Sequence, residues 1–182
     1  APEGAPMFDL RRAADRAIDA MPLEVVHVLN GAFMDMMLDP STAGLIDLSA
    51  GTATLWGTGD EQFDLTTVED TARFTALLAT DPSDVAGVRY LSGSRTSFNQ
   101  IIAETESLTG TRLTRTVLGS VEDLRRIVAE ADDPWSVIPQ WYFLSMLTVP
   151  PFPTTENDRY PDAHPTPLVD WLADAHRALN HV

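Results

Sequence analysis

Short apolar runs rich in β-branched residues alternate with amphipathic helical segments through the middle of the chain. The runs at 24–29, 87–91 and 112–118 are too short for helices and suit buried strands. The segments between them begin with residues that favour helix N-termini, and one of them ends at a glycine. This order predicts an α/β fold in which short, mostly parallel strands are covered by packed helices.

Three of the helix starts carry capping signals. Thr66–Glu69 and Ser97–Gln100 resemble capping boxes, and Ser120 is placed to cap a further helix. Gly110 is placed to end the second helix in a left-handed conformation. The apolar spacing predicts one side of the first helix and the inward faces of the other two: Val68, Ala72, Thr75, Ala76 and Ala79; Phe98, Ile101, Ile102 and Leu108; Val121, Leu124, Ile127 and Val128.

Helices are also expected at both ends of the chain, and a hairpin is expected near its middle. We expect a single domain over 1–182, in which residues 1–6 are a flexible start. The hairpin consists of predicted strands at 44–48 and 52–56, which a short turn joins. Helical spacing is evident in two apolar sets: Leu10, Ala14, Ala17, Ile18 and Met21 near the start, and Leu168, Trp171, Leu172, Ala175 and Leu179 near the end.

The segment 134–152 is apolar all round, which is typical of a helix that is buried or lines an apolar pocket. Its prolines at 150, 151 and 153 then force a loop.

Charge and composition exclude several classes of function. The net charge is −15 and the 12 cations are scattered arginines, so a nucleic-acid partner is not expected. The chain contains neither cysteine nor lysine, which excludes thiolate metal sites, cysteine nucleophiles, Schiff bases and a P-loop. No apolar stretch is long enough for a membrane span and the start is not a signal peptide, so we expect a cytoplasmic protein that does not contact membranes.

The order of these pieces resembles a known family. The segments 8–37, 57–79, 87–113 and 157–172 are similar, in sequence order, to consecutive parts of NmrA-like and isoflavone-reductase-like atypical short-chain dehydrogenase/reductases. The likeness extends from about Phe8 to the end. It implies the C-terminal, substrate-binding half of that fold, without the N-terminal Rossmann half that binds NAD(P).

The resemblance also shows what the chain lacks. Matching the family's acidic position to Asp15 puts Arg11 where the catalytic lysine stands and Met7 where the tyrosine stands, so the Tyr-x-x-x-Lys pair is absent. Gly57-x-Gly59 is followed by an acidic pair rather than a helix, which is the wrong context for a dinucleotide fingerprint. We therefore expect no cofactor in this chain alone, NAD(P) if a Rossmann half completes it, and no metal.

Two groups of residues are candidates for contacting a small organic ligand. Asn30, Phe33 and Met34 follow a predicted strand, and ligands of α/β sheets bind beyond such strand ends. The resemblance likewise implies that this turn lies near the nicotinamide and the substrate.

The second group is Trp141, Tyr142 and Met146 in the all-apolar segment. Both groups are also compatible with plain core packing. His27, which alternates with valines, is interpreted as a structural histidine.

Three functions stay open at this stage. The chain is the substrate-binding part of an NAD(P)-dependent oxidoreductase whose other half comes from a second chain or was removed. Alternatively, it is a cofactor-free small-molecule-binding protein, cyclase or isomerase derived from that fold, or a non-enzymatic regulator that binds a protein. The expected partners are a small-molecule ligand and a second chain, either a Rossmann half or another copy.

Overall fold

The structure is a computed structural model that describes residues 2–38, 45–83 and 86–180. Its helices are α1 (Pro6–Asp19), α2 (Met34–Met37), α3 (Val68–Thr80), α4 (Phe98–Thr109), α5 (Val121–Glu130), α6 (Ile138–Thr148) and α7 (Leu168–Asn180), with 3-10 turns at Pro134–Val137 and Pro161–Ala163. Its strands are β1 (Val26–Asn30), β2 (Ala32–Phe33), β3 (Ile46–Asp47), β4 (Thr52–Trp56), β5 (Phe63–Thr66), β6 (Gly87–Leu91), β7 (Ser94–Thr96) and β8 (Thr114–Gly119). No helix in these ranges is both long and apolar enough to cross a membrane.

The strands form three small sheets, ordered β1-β6, β2-β5-β7 and β3-β4-β8. Three of the five pairings among the described residues are parallel, namely β1 with β6, β2 with β5 and β4 with β8. The predicted α/β fold with short, mostly parallel strands is therefore confirmed. The expected hairpin is the antiparallel pair β3 and β4, although Gly44 at the predicted start lies outside the described residues.

Two apolar clusters hold these elements together. The larger one joins α2, α4, α5, α6 and α7 to the β3-β4-β8 sheet and to β5. The smaller one lies between α3, β6 and the loop before α7: Phe74, Leu78, Leu91, Tyr160 and Ala163. Val26 and Val28 of β1 pack against this smaller cluster, so one face of β1 is directed toward α3.

The start of α3 corrects the predicted cap, and the side of α3 that carries Val68 and the alanines faces solvent. Thr67, rather than Thr66, is the N-cap, and its side chain accepts a hydrogen bond from the Asp70 N–H. The buried face consists of Asp70, Phe74 and Leu78, while Val68 is 52 % exposed. Ala72, Thr75, Ala76 and Ala79 are exposed as well, because the larger apolar side chains of Phe74 and Leu78 lie on the other side of α3 and fill the core.

The other two capped helices follow the prediction more closely. Ser97 and Ser120 are the N-caps of α4 and α5, Ser120 and Asp123 form a full capping box, and Gly110 ends α4 with φ 68°. Leu108 is the exception among the predicted inward residues, because it lies near the exposed end of α4.

The ends of the chain differ most from expectation. α1 begins at Pro6 and Ala5 is fully buried, so ordered structure begins inside the segment read as a flexible start. From Leu10 onward almost every residue of α1 is exposed, although its apolar residues recur at helical spacing. Within α7, Leu168 and Leu172 are buried as predicted, and the side chain of Leu179 lies outside the described part of the chain.

Candidate functional site

The carboxyl end of β1 holds the first group of candidate residues. Asn30 is in register with Leu91 at the end of β6, and its side-chain amide donates to the Gly31 carbonyl at 2.8 Å. Gly31 is required here, because an added Cβ would lie 2.6 Å from the backbone carbon of Asp64. The chain therefore leaves β1 in tight contact with β5.

Phe33 and Met34 follow the close contact between Gly31 and β5. Phe33 pairs with Thr66 at the end of β5 and is partly exposed, whereas Met34 is fully buried in the larger core. Asn30 and Phe33 are thus the members of the group that a ligand could reach without opening the core.

The second group lies on α6, which is apolar on every side as predicted. Trp141 is buried, Met146 is partly buried against the larger core, and Tyr142 is 40 % exposed. The phenol of Tyr142 accepts a hydrogen bond from the Arg11 guanidinium at 3.5 Å and its ring meets Phe8 edge to face.

The structure brings only part of the two groups together. Met34, Trp141 and Met146 share the larger core, while Asn30 lies at a strand end and Tyr142 packs against α1. Their role in binding a ligand stays a prediction.

Sequence reasoning missed polar atoms near the same strand ends. The Asn157 amide donates to the Ser92 carbonyl, directly after β6, at 2.6 Å, and its own carbonyl oxygen is buried without a partner. The hydroxyl of Thr66, opposite Phe33, is also buried and unpartnered. No sequence signal marked Asn157, because it lies in an irregular loop that reaches β6 only in the folded chain.

That loop is tied down by two buried carboxylates. Asp64 accepts hydrogen bonds from the Phe152 N–H at 2.7 Å and from Arg95 at 3.2 Å. Asp70 accepts from the Thr166 N–H at 2.7 Å. The segment between Phe152 and Thr166 is therefore held at both ends over β6 and α3.

The Gly57–Gly59 turn does not fit a dinucleotide pyrophosphate. The Glu61 carboxylate already accepts hydrogen bonds from the N–H groups of Thr58 and Gly59, at 3.0 and 2.9 Å. Burial raises the pKa of Glu61, but these hydrogen bonds outweigh it, so the pKa lies below its ordinary value. A charged carboxylate thus occupies the donors that a phosphate would need.

An apolar, partly open cavity of about 10 Å³ lies elsewhere, between β3, β4 and α4, and its lining includes Ile46, Phe98 and Ile101. It has room for about one water molecule, whereas sites for drug-sized ligands span about 300–1,000 Å³. Within the described ranges, no three histidine or acidic side chains converge to hold a metal ion.

An exposed apolar surface lies on α1 and on the turn that follows it. Leu10 on α1 and Met21, two positions beyond the end of α1, are 61 % and 51 % exposed, and Ala14 and Ala17 between them are exposed as well. We call these four residues the α1 stripe. Close by, β1 has β6 as its one strand partner in the described part of the chain, and Leu29 of β1 is exposed.

Comparison with known proteins identifies the fold. No family model and no curated protein sequence matches the chain. Among solved structures, isoflavone reductase matches over 96 % of this chain and 60 % of the isoflavone reductase chain, with TM-score 0.77 and 20 % identity. The structure of AtPrR2 with NADP⁺ and (+)pinoresinol matches over 95 % of this chain and 58 % of the AtPrR2 chain, with TM-score 0.74 and 16 % identity.

A third match is the binary complex of leucoanthocyanidin reductase with NADPH from Vitis vinifera, over 96 % of this chain and 62 % of that one, with TM-score 0.72 and 13 % identity. The chain spans about 60 % of the length of these proteins. It has the fold of the C-terminal portion of isoflavone-reductase-like and NmrA-like reductases.

Proposed function

We propose that this chain is the substrate-binding part of an NAD(P)-dependent oxidoreductase that acts on a small organic molecule. Its nucleotide-binding half is supplied by another chain or was removed. The observation that carries the proposal is the coverage: nearly all of this chain superimposes on only 60 % of isoflavone reductase. Two of the matched structures contain NADP⁺ or NADPH, according to their names.

The exposed surface of α1 supports the need for a second half. An exposed apolar stripe along a helix normally faces a packed neighbour, because each exposed leucine or methionine forgoes about 2 kcal/mol of burial. A strand with one open edge is likewise a site for association. The α1 stripe and the edge of β1 together form a surface onto which a nucleotide-binding sheet can be added.

Net charge favours a different partner over a second copy. At −15 per chain, two copies repel each other at close range, and the repulsion grows as salt is lowered. We therefore propose a nucleotide-binding half, rather than a homodimer, as the occupant of this surface.

The ligand is proposed to bind beyond the carboxyl end of β1, against Asn30 and Phe33. Both are partly exposed, so a ligand can reach them without opening the core. The second half would then close the site from the other side. In this proposal Met34, Trp141 and Met146 support the site from the core behind it, whereas Tyr142 packs against α1.

No hydride-transfer step is assigned to these residues. The chain contains no lysine, and the backbone N–H groups of the Gly57–Gly59 turn are occupied by the Glu61 carboxylate. Dinucleotide binding therefore has to come from the second half.

The test is a fluorescence titration with NADPH of the isolated chain and of the assembly purified from its own source. We expect no binding to the isolated chain and binding to the assembly. The double variant Leu10→Glu/Met21→Glu should release the second half and abolish binding, whereas Val169→Glu, at an exposed position of α7, should leave it unchanged.

NADPH binding by the isolated chain would overturn the proposal. So would an assembly that binds no nucleotide: substrate turnover without cofactor would then favour a cofactor-free enzyme, and no turnover would favour a protein-binding regulator.

A further inference from the structure

His27 connects β1 to the C-terminal half of α1. Its Nε2 lies 2.7 Å from the Asp19 carboxylate, and its Nδ1 lies 3.6 Å from the Asp15 carboxylate. The two acidic residues are four positions apart on α1, so they lie one turn from each other on the same face. The imidazole ring is thus held between them by both of its nitrogens.

The residues that flank His27 in the sheet are uncharged. Val26 and Val28 face the Phe74 cluster on the opposite side of the strand, and Val88 is the residue opposite His27 on β6. The one cation of β6, Arg89, donates to the carbonyls of Val88 and Ala86. Among the described residues, Asp15 and Asp19 are the charged groups that act on the ring.

α1 is attached to the rest of the fold mainly near its ends. At the N-terminal end Ala5 and Phe8 are buried, and Phe8 meets Tyr142. At the C-terminal end His27 contacts Asp15 and Asp19. The residues between are mostly exposed. His27 therefore helps to fix the C-terminal half of α1, which carries the α1 stripe beyond Leu10.

We propose that protonated His27 is a pH-dependent clamp that holds the C-terminal half of α1 on β1. By fixing α1, the clamp sets the orientation of the α1 stripe and so the affinity for the second half of the enzyme; this last part rests on the proposed function. Protonation supplies two N–H donors and a positive charge, whereas the neutral ring has one donor and no charge.

The direction of the pH effect follows from the contacts. The hydrogen bond with Asp19 and the charges of Asp19 and Asp15 raise the pKa of His27, while burial lowers it less, so the pKa lies above 6.5. The folded state therefore holds the proton more tightly than the unfolded state. The clamp is fully present below about pH 6.5 and is lost as the pH rises through the folded-state pKa.

The first test uses the 182-residue chain without any partner. We expect the His27 ring protons to titrate, by NMR, above the ordinary histidine value. Amide exchange in 15–20, corrected for its intrinsic pH dependence, should become several-fold faster across the same range. The same exchange should be fast at every pH in His27→Gln, and His176→Gln on α7 should behave like the wild type.

Two aspartate variants separate the clamp from a general loss of structure. Asp19→Asn should lower the pKa of His27 more than Asp15→Asn, because Asp19 makes the shorter contact. A pKa at or below 6.5, or protection of 15–20 that does not change in His27→Gln, would overturn the clamp.

The second test measures dissociation of the assembly across the same pH range. Weaker association in the wild type at high pH, with none of this dependence in His27→Gln, is expected. If the His27 contacts open at high pH but the affinity of the assembly does not change, the effect of the clamp on association is wrong. The proposed function would not be affected by that result.

Discussion

The Asp70 carboxylate on α3 accepts two hydrogen bonds from Thr166, one from its N–H at 2.7 Å and one from its hydroxyl at 3.1 Å. Asp70 is almost completely buried, and Thr166 lies 96 positions later, just before α7. This contact joins the last helix to the first half of the chain.

Replacing Asp70 by alanine should therefore destabilise the whole fold. Asp70→Ala removes both acceptors and leaves the Thr166 N–H without a partner, which should lower the free energy of unfolding by about 3 kcal/mol. Urea denaturation measures this loss. Glu69→Ala, at the exposed neighbouring position, is the control and should change stability by about 0.5 kcal/mol or less. Equal effects of the two variants would contradict a stabilising role for the Asp70–Thr166 contact.

Gly31 should tolerate no side chain. Its added Cβ would lie 2.6 Å from the Asp64 backbone, which cannot move without shifting β5, so Gly31→Ala should cost about 2–3 kcal/mol in unfolding free energy. Gly51→Ala is the comparison, because Gly51 has open space but φ 64°, and it should cost only about 1 kcal/mol. A Gly31→Ala protein as stable as the wild type would show that β1 and β5 do not cross so closely.

The capping box of α5 should be visible in the titration of Asp123. Hydrogen bonds from the Ser120 backbone, from Arg126 and from the Ser120 hydroxyl lower the pKa of Asp123 from 3.8 to about 2. Because the folded-state pKa is depressed, the stabilisation is present above about pH 4 and is lost as the pH falls through about 2.

Ser120→Ala should move the pKa of Asp123 upward, toward 3.8, in an NMR titration of the carboxyl group. It should also cost about 1 kcal/mol at neutral pH. Glu122→Ala serves as the control, because its exposed side chain takes no part in the capping box. An unchanged pKa of Asp123 in Ser120→Ala would contradict the capping box.

Two substitutions on α1 test whether the α1 stripe is free in the isolated chain. Leu10→Glu should change the unfolding free energy by about 0.5 kcal/mol or less, because Leu10 is 61 % exposed. Phe8→Ala, two positions earlier, should cost about 3 kcal/mol, because Phe8 is buried against Tyr142. Severe destabilisation by Leu10→Glu would mean that the α1 stripe already packs inside this chain.

The sequence predicts those elements whose local signals and burial agree. Ser120 and Gly110 mark helix ends through local hydrogen bonds and backbone conformation, and the alternation of β6 and α4 with β8 and α5 is correct. The helical conformation of α1 is predicted for the same reason, but the sequence does not predict that its apolar side is exposed. Periodicity shows which residues share a side, and does not show whether anything covers it.

The candidate site is harder to predict because it depends on contacts between distant segments. Met34 and Phe33 are adjacent in sequence, yet one is buried in the core and the other is partly exposed. Asn157 reaches the end of β6 only because Asp64 and Asp70 hold its loop at both ends. Neither result follows from local composition.

Native mass spectrometry of the protein isolated from its own source tests the central claim most directly. We predict a species that contains this chain, a nucleotide-binding half and one bound dinucleotide, whether the half is a separate polypeptide or a continuation of the same one. The chain alone, or a homo-oligomer of it, without nucleotide would contradict the account.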